Sequence, residues 1–111
     1  MATNERPLFL SKKRGARRAL IMNPPMTREE RYGKFAEAGS VSPPLGILYV
    51  AAALEGVGWD VRVLDGFKDP LSFADVLSEI GHWKPDIVAI STVTIAFPCV
   101  RDLTTQIKEI F

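Results

Sequence analysis

The 111-residue chain contains one cysteine, Cys99, and one histidine, His82. A single thiol excludes an internal disulfide and leaves no cysteine cluster to hold zinc or iron–sulfur. No apolar run reaches the roughly eighteen residues that a membrane span needs. The amino terminus has no secretory hydrophobic core, since Leu8-Phe9-Leu10 is far too short. There is no internal repeat or low-complexity tract. No Gly-x-x-x-x-Gly-Lys-Ser/Thr loop occurs, and no Gly-x-Gly-x-x-Gly follows the first predicted strand, so ordinary nucleotide binding is disfavoured. These absences predict a cytoplasmic protein.

Apolar residues make up 47% and charged residues 24%, which is ordinary for a globular domain with one modest core. The net charge of +1 is unevenly spread: residues 1–18 hold six basic groups and one acid. Such an arm can touch nucleic acid or membrane. With Phe9 as its sole aromatic residue, it reads instead as a solvated, disordered basic tail over residues 1–17. Neither nucleic acid nor membrane is expected as a partner.

The stretch Val41–Leu54 carries no charge and organises the remainder. Ser42, Pro43 and Pro44 form a stiff entry, and Ile47, Val50, Ala51 and Leu54 recur at helical spacing. A helix so apolar around its circumference is expected inside a fold, against a sheet. Gly46, one turn in, lowers helix propensity by about 1 kcal/mol relative to alanine. That cost points to a close approach at its backbone, by a strand or by a ligand.

Before this helix, Arg18-Ala-Leu-Ile-Met-Asn23 reads as a buried strand closed by Pro24-Pro25. The connection to Ser42 is long for a strand-to-helix link. Within it, Thr27-Arg-Glu-Glu30 fits a capping box, and Gly33 is placed to end the turn. Glycines near Gly56 and Gly58 close the apolar helix. Asp60–Asp65 alternates as a second strand, and Ser72-Phe-Ala-Asp75 opens a second helix that Lys84-Pro85 breaks. Asp86–Ser91 is a third strand, more apolar than the second and so expected to be more central. The last helix should turn Val100, Leu103, Ile107 and Ile110 inward.

This β-α-β-α-β-α order predicts an α/β fold: parallel strands, right-handed crossovers and helices on both faces. A doubly wound sheet usually has five or six strands, so three are expected to be the front portion of a domain, residues 18–111. Ligands of such sheets bind beyond the carboxyl ends of the strands. The segments there are Asn23-Pro24-Pro25, Asp65-Gly66 and Ser91-Thr92-Val93-Thr94. They offer hydroxyls, a carboxamide, one carboxylate and backbone N–H groups, which suits a polar ligand held by hydrogen bonds. They contain no nucleophile–base pair, and no catalytic residue is assigned. His82 falls at the other edge, as a helix-end residue. Cys99, in the first turn of the last helix, is read as packing; a helix N-terminus there would otherwise lower its pKa.

Ile21-Met-Asn-Pro-Pro25, Glu30-Arg-Tyr-Gly33, Pro43-Pro-Leu-Gly-Ile-Leu-Tyr-Val-Ala-Ala-Ala-Leu54, Gly58-Trp-Asp-Val-Arg-Val-Leu-Asp65 and Pro85-Asp-Ile-Val-Ala-Ile-Ser91 together carry a resemblance. The chain resembles the amino-terminal cobalamin-binding domain of cobalamin-dependent radical S-adenosylmethionine enzymes, many of them methyltransferases. The resemblance implies a flavodoxin-like, Rossmann-type sheet of order 2-1-3, with a corrinoid over the carboxyl ends of strands one and three. The nucleotide tail of that cofactor would thread between these strands. Asn23, Pro24, Pro25 and Gly33 would line the corrin side, Ser91, Thr92 and Thr94 would bond the tail, and Gly46 would leave room for it. Asp65 completes the set. Methylcobalamin domains with Asp-x-His-x-x-Gly place a histidine below cobalt; this loop has none, so no lower imidazole is expected. The Cys-x-x-x-Cys-x-x-Cys of the radical enzymes is also absent. The 4Fe-4S cluster and S-adenosylmethionine would belong to a catalytic domain in a longer parent or a partner chain.

Two other readings remain open. One is a flavodoxin-like module that binds no corrinoid and serves another ligand or a protein contact; as a phospho-receiver it would need acids where Asn23 and Ser91 stand. The other is a fragment that does not fold alone, with Ile107, Ile110 and Phe111 lacking partners on an open edge.

Overall fold

The computed structural model describes residues 16–27, 30, 44–67 and 71–111. Outside these fall residues 1–15 of the predicted tail, the loop with Gly33, Gly39 and Ser40, the entry at Ser42 and Pro43, and Asp69-Pro70.

The run Arg18–Asn23 forms β1, and its apolar residues are buried on both faces. It pairs in parallel with β2 (Asp60–Asp65), in register from Arg18 with Asp60 to Asn23 with Asp65. It pairs in parallel with β3 (Ile87–Ile90), from Ala19 with Ile87 to Met22 with Ile90. The order is β2-β1-β3. Between the strands lie α1 (Leu45–Gly56) and α2 (Phe73–Trp83). A short 3-10 turn at Thr94–Ala96 leads into α3 (Phe97–Ile110).

Alternation along β1 divides the core in two. Leu20 and Met22 pack with Val76, Ile80 and Trp83 of α2 and Leu103 of α3. Ile21 packs with Ile47 and Ala51 of α1 on the other face. Burying one such side chain contributes about 1.5–3 kcal/mol, so β1 holds both helical layers to the sheet. At the amino ends of the strands, the Arg18 N–H donates to Asp86 Oδ2 at 2.8 Å, and the Asp86 N–H donates to the Arg18 carbonyl at 2.8 Å. The Arg18 guanidinium donates to the Trp83 carbonyl at 2.6 Å.

The helix signals act as their residue types dictate. Ser72 Oγ accepts from the Asp75 N–H at 3.1 Å while Asp75 Oδ2 accepts from the Ser72 N–H at 2.9 Å, a reciprocal capping box. Gly58, at φ +97°, takes the left-handed conformation after α1. Thr27 and Glu30 make the same reciprocal pair at 3.0 and 2.8 Å.

Two expectations are corrected, and the place of the third strand is fixed. The apolar α1 is not enclosed: Ile47 and Ala51 are buried, whereas Leu45 is 61% and Tyr49 75% exposed. Among the described residues α1 is the helix on its face of the sheet, and it buries one stripe there. Among the described strands, β3 flanks β1 on the side opposite β2, as the order 2-1-3 requires, with Ile87 43% exposed. Its apolar residues serve two faces: Val88 and Ile90 pack toward α2 and α3, Ala89 toward α1. In α3, Leu103 is buried and Ile107 packs on the core, but Ile110 is 59% exposed. Ile110 follows Leu103 by seven residues, and the layer beneath has ended by that turn.

Candidate functional site

All three strands finish at one edge, where the β1 residues after Met22 meet two turns. Asn23, the last residue of β1, is 8% exposed. Its Nδ2 donates to Asp65 Oδ1 at 3.2 Å, and the Phe67 N–H donates to the same oxygen at 3.1 Å. The Gly66 N–H donates to the Asn23 carbonyl at 3.2 Å. A Cβ on Gly66 would fall 2.6 Å from that carbonyl oxygen and 2.6 Å from the backbone of Pro24. The turn after β2 is thereby pressed against the end of β1. Gly66 was readable in the sequence as a loop residue after a strand; its close approach to Pro24 was not, because the neighbour is distant in the chain.

On the other side of β1 a cleft of about 290 Å³ opens between α1, β1 and β3. Ile21, Ile47, Val50 and Ala89 form its walls, and Gly46 and Ser91 also line it. No lining side chain is charged. A Cβ on Gly46 would meet nothing within 4 Å. Tight packing against a strand is therefore not what its missing side chain serves; the backbone there faces open space. The start of α1 carries no side-chain cap, and helix starts present unpaired N–H groups suited to anions.

The other predicted residues take distinct places. The Ser91 N–H donates to the Met22 carbonyl at 2.9 Å. Thr92 and Thr94 stand exposed on the connection from β3 to α3, outside the cleft lining. Pro24 and Pro25, directly after β1, are buried. Gly33 lies outside the described residues. Thus Gly46 and Ser91 share the cleft, while Asn23 and Asp65 form a bonded pair at its β2 side. The apolar wall residues were read from sequence as core, and periodicity has no means of separating a core face from a cleft wall.

Cys99 Sγ donates to the Pro25 carbonyl at 3.7 Å. Burial pushes its thiol above the usual range, and the charges of Glu30 and Asp102 push the same way. The helix start does not lower it. His82, in the last turn of α2, lies with Nδ1 2.8 Å from the Ser78 carbonyl, at the strand edge opposite the cleft. Among the described residues, no group of three or more His, Cys, Asp or Glu side chains could hold a metal ion. Among them also, no helix is long and apolar enough to cross a membrane.

The B12 binding domain family matches residues 34–111, which take in α1, β2, α2, β3 and α3. The chain belongs to the B12-binding domain family. The three-stranded parallel sheet of order 2-1-3 is the flavodoxin-like arrangement of that family. Gly46, Asp65, Ser91, Thr92 and Thr94 fall inside the matched span; Asn23, Pro24 and Pro25 precede it. An uncharacterised methyltransferase of Pyrococcus horikoshii is 38% identical over 58 residues, covering 52% of this chain and 12% of that protein. The hopanoid C-3 methylase of Methylococcus capsulatus is 39% identical over 67 residues, covering 60% of this chain and 13% of the methylase. The matches thus span about an eighth of the length of these curated relatives. No solved structure matches significantly.

The residues of this B12-binding domain suit part of a cobalamin. Pockets that enclose a whole drug-sized ligand run from about 300 to 1,000 Å³, so a cleft of about 290 Å³ accommodates a slender portion. The apolar walls suit an aromatic base, and the open backbone at Gly46 admits a group that a side chain would block. The broad corrin ring would have to lie outside, over the strand ends.

Proposed function

We propose that this chain is the cobalamin-binding module of a radical S-adenosylmethionine methyltransferase. The nucleotide tail enters the cleft between β1, β3 and α1, and the corrin lies over Asn23, Pro24 and Pro25 with Gly33. Ser91, Thr92 and Thr94 bond the tail, and Asp65 holds the far side of the site. The observation that carries this reading is the cleft itself, lined by Ser91 and by Gly46, whose backbone faces open space. The uncapped start of α1 at the same place favours the phosphate of the tail. When bound, a corrinoid supplies group-transfer chemistry at its cobalt; this chain's residues bind and orient it.

The sole histidine in the sequence is His82, and its position at the opposite edge supports a cobalt without a lower imidazole from this chain. The names of the two relatives support methyl transfer. The cluster and S-adenosylmethionine are assigned to a catalytic domain in cis or in trans, because the single cysteine leaves no ligand set for the cluster.

The test is to mix the purified chain with hydroxocobalamin, desalt it, reduce it to the cobalt(II) form and record the electron paramagnetic resonance spectrum. Retained colour and a spectrum without nitrogen splitting from an axial base are expected. Gly46→Phe should keep the fold and lose the colour. A colourless wild-type protein after desalting would reject the corrinoid in favour of a flavodoxin-like module with another ligand.

A further inference from the structure

Among the described residues, Asn23 holds a buried acceptor with no hydrogen-bond partner. Asp65 Oδ1 already accepts from the Phe67 N–H, so the group that faces it from Asn23 is the NH2, at 3.2 Å. The carbonyl oxygen of the Asn23 carboxamide is thereby turned away from Asp65. Among the described residues this Oδ1 has no hydrogen-bond partner, although the residue is 8% exposed. Buried carbonyl oxygens are as a rule paired, and an unpaired one calls for an explanation. Asn23 also follows Ile21 by two positions, so it faces the same side of the sheet, and Ile21 lines the cleft. The bond from the Gly66 N–H to the Asn23 carbonyl keeps the end of β1 from moving.

We propose that Asn23 Oδ1, oriented by Asp65, accepts a hydrogen bond from a carboxamide N–H on the rim of the corrinoid and selects carboxamide over carboxylate there. The proposal rests on the corrinoid reading above. A corrin ring carries several primary carboxamides on short side chains. A carboxylate in the same place has no proton to give at neutral pH, and it would bring a negative charge toward a carbonyl oxygen beside the Asp65 carboxylate. Asn23 is the recognising group; Asp65 is a positioning residue that acts through it.

Binding of cobalamin and of its individual monocarboxylate derivatives, each with one carboxamide hydrolysed, tests this by absorbance titration. Wild type, Asn23→Ala and Asp65→Ala are compared, with far-ultraviolet circular dichroism to verify the fold. Wild type should bind at least one monocarboxylate about tenfold more weakly than cobalamin. That ratio should fall to within about twofold in Asn23→Ala. In Asp65→Ala the oxygen that holds the Asn23 NH2 is gone, which frees Asn23 to turn its own NH2 outward, so the ratio should fall. Should Asn23→Ala fail to fold, Asp65→Ala carries the test. Equal binding of all derivatives by wild type, or full discrimination retained in the folded variants, overturns the inference while the corrinoid reading stands. Failure of wild type to bind cobalamin itself removes both.

Discussion

A methyl group at Gly66 would meet Asn23 and Pro24 backbone atoms at 2.6 Å, and backbone cannot step aside as a flexible side chain can. Gly66→Ala should therefore lower the unfolding free energy by about 1–3 kcal/mol in a chemical melt, the range for overpacking. Gly46→Ala should do the reverse and add up to about 1 kcal/mol, because its Cβ meets open space within a helix. The two glycines look alike in a sequence window. Gly46 draws notice because it stands in a run of helix formers, whereas the constraint on Gly66 comes from a strand more than forty residues earlier. Cys99 offers a second measurement. Its thiol is pushed up, so the folded chain favours the protonated form. The stability linked to it is complete below the usual thiol range and is lost as pH rises through the raised value. Alkylation of the native protein should accordingly show its midpoint above that of the unfolded chain.

Among the elements, α3 is docked through few contacts. Leu103 is 0% exposed and joins the cluster with Leu20 and Val76. Leu103→Ala should cost about 2–5 kcal/mol, and Ile110→Ala should stay within about 0.5 kcal/mol; paired melts distinguish them. Helical periodicity places both residues on one face, and the length of the layer beneath decides which is buried. The capping box of α2 was legible from Ser72 and Asp75 alone, because it is made of residues three apart. Hydrogen bonds from the Ser72 N–H and hydroxyl hold the Asp75 carboxyl below its usual range. Its contribution is present above the ordinary carboxylate range and is lost as pH falls through the lowered value. Asp75→Asn should remove that acid-side loss from a pH titration of the helical signal.

At the scale of the whole molecule, two apolar layers share one central strand, and the cleft sits where α1 leaves the β3 side of that strand uncovered. A ligand that binds the folded chain alone must stabilise it by mass action. Cobalamin at a hundred times its dissociation constant should add about 2.7 kcal/mol, read as a melting temperature that climbs with cobalamin concentration. The sequence by itself determined the strands, the parallel order implied by their spacing, and the helix starts and stops, since these follow from local periodicity and capping chemistry. It also determined that the chain holds one histidine and one cysteine, whatever the fold. Tertiary structure alone decided which apolar faces are covered, and that Gly46 and Ser91 share a cleft while Asn23 turns to Asp65. Those outcomes depend on which distant segment lies opposite each residue, and periodicity carries no information about that.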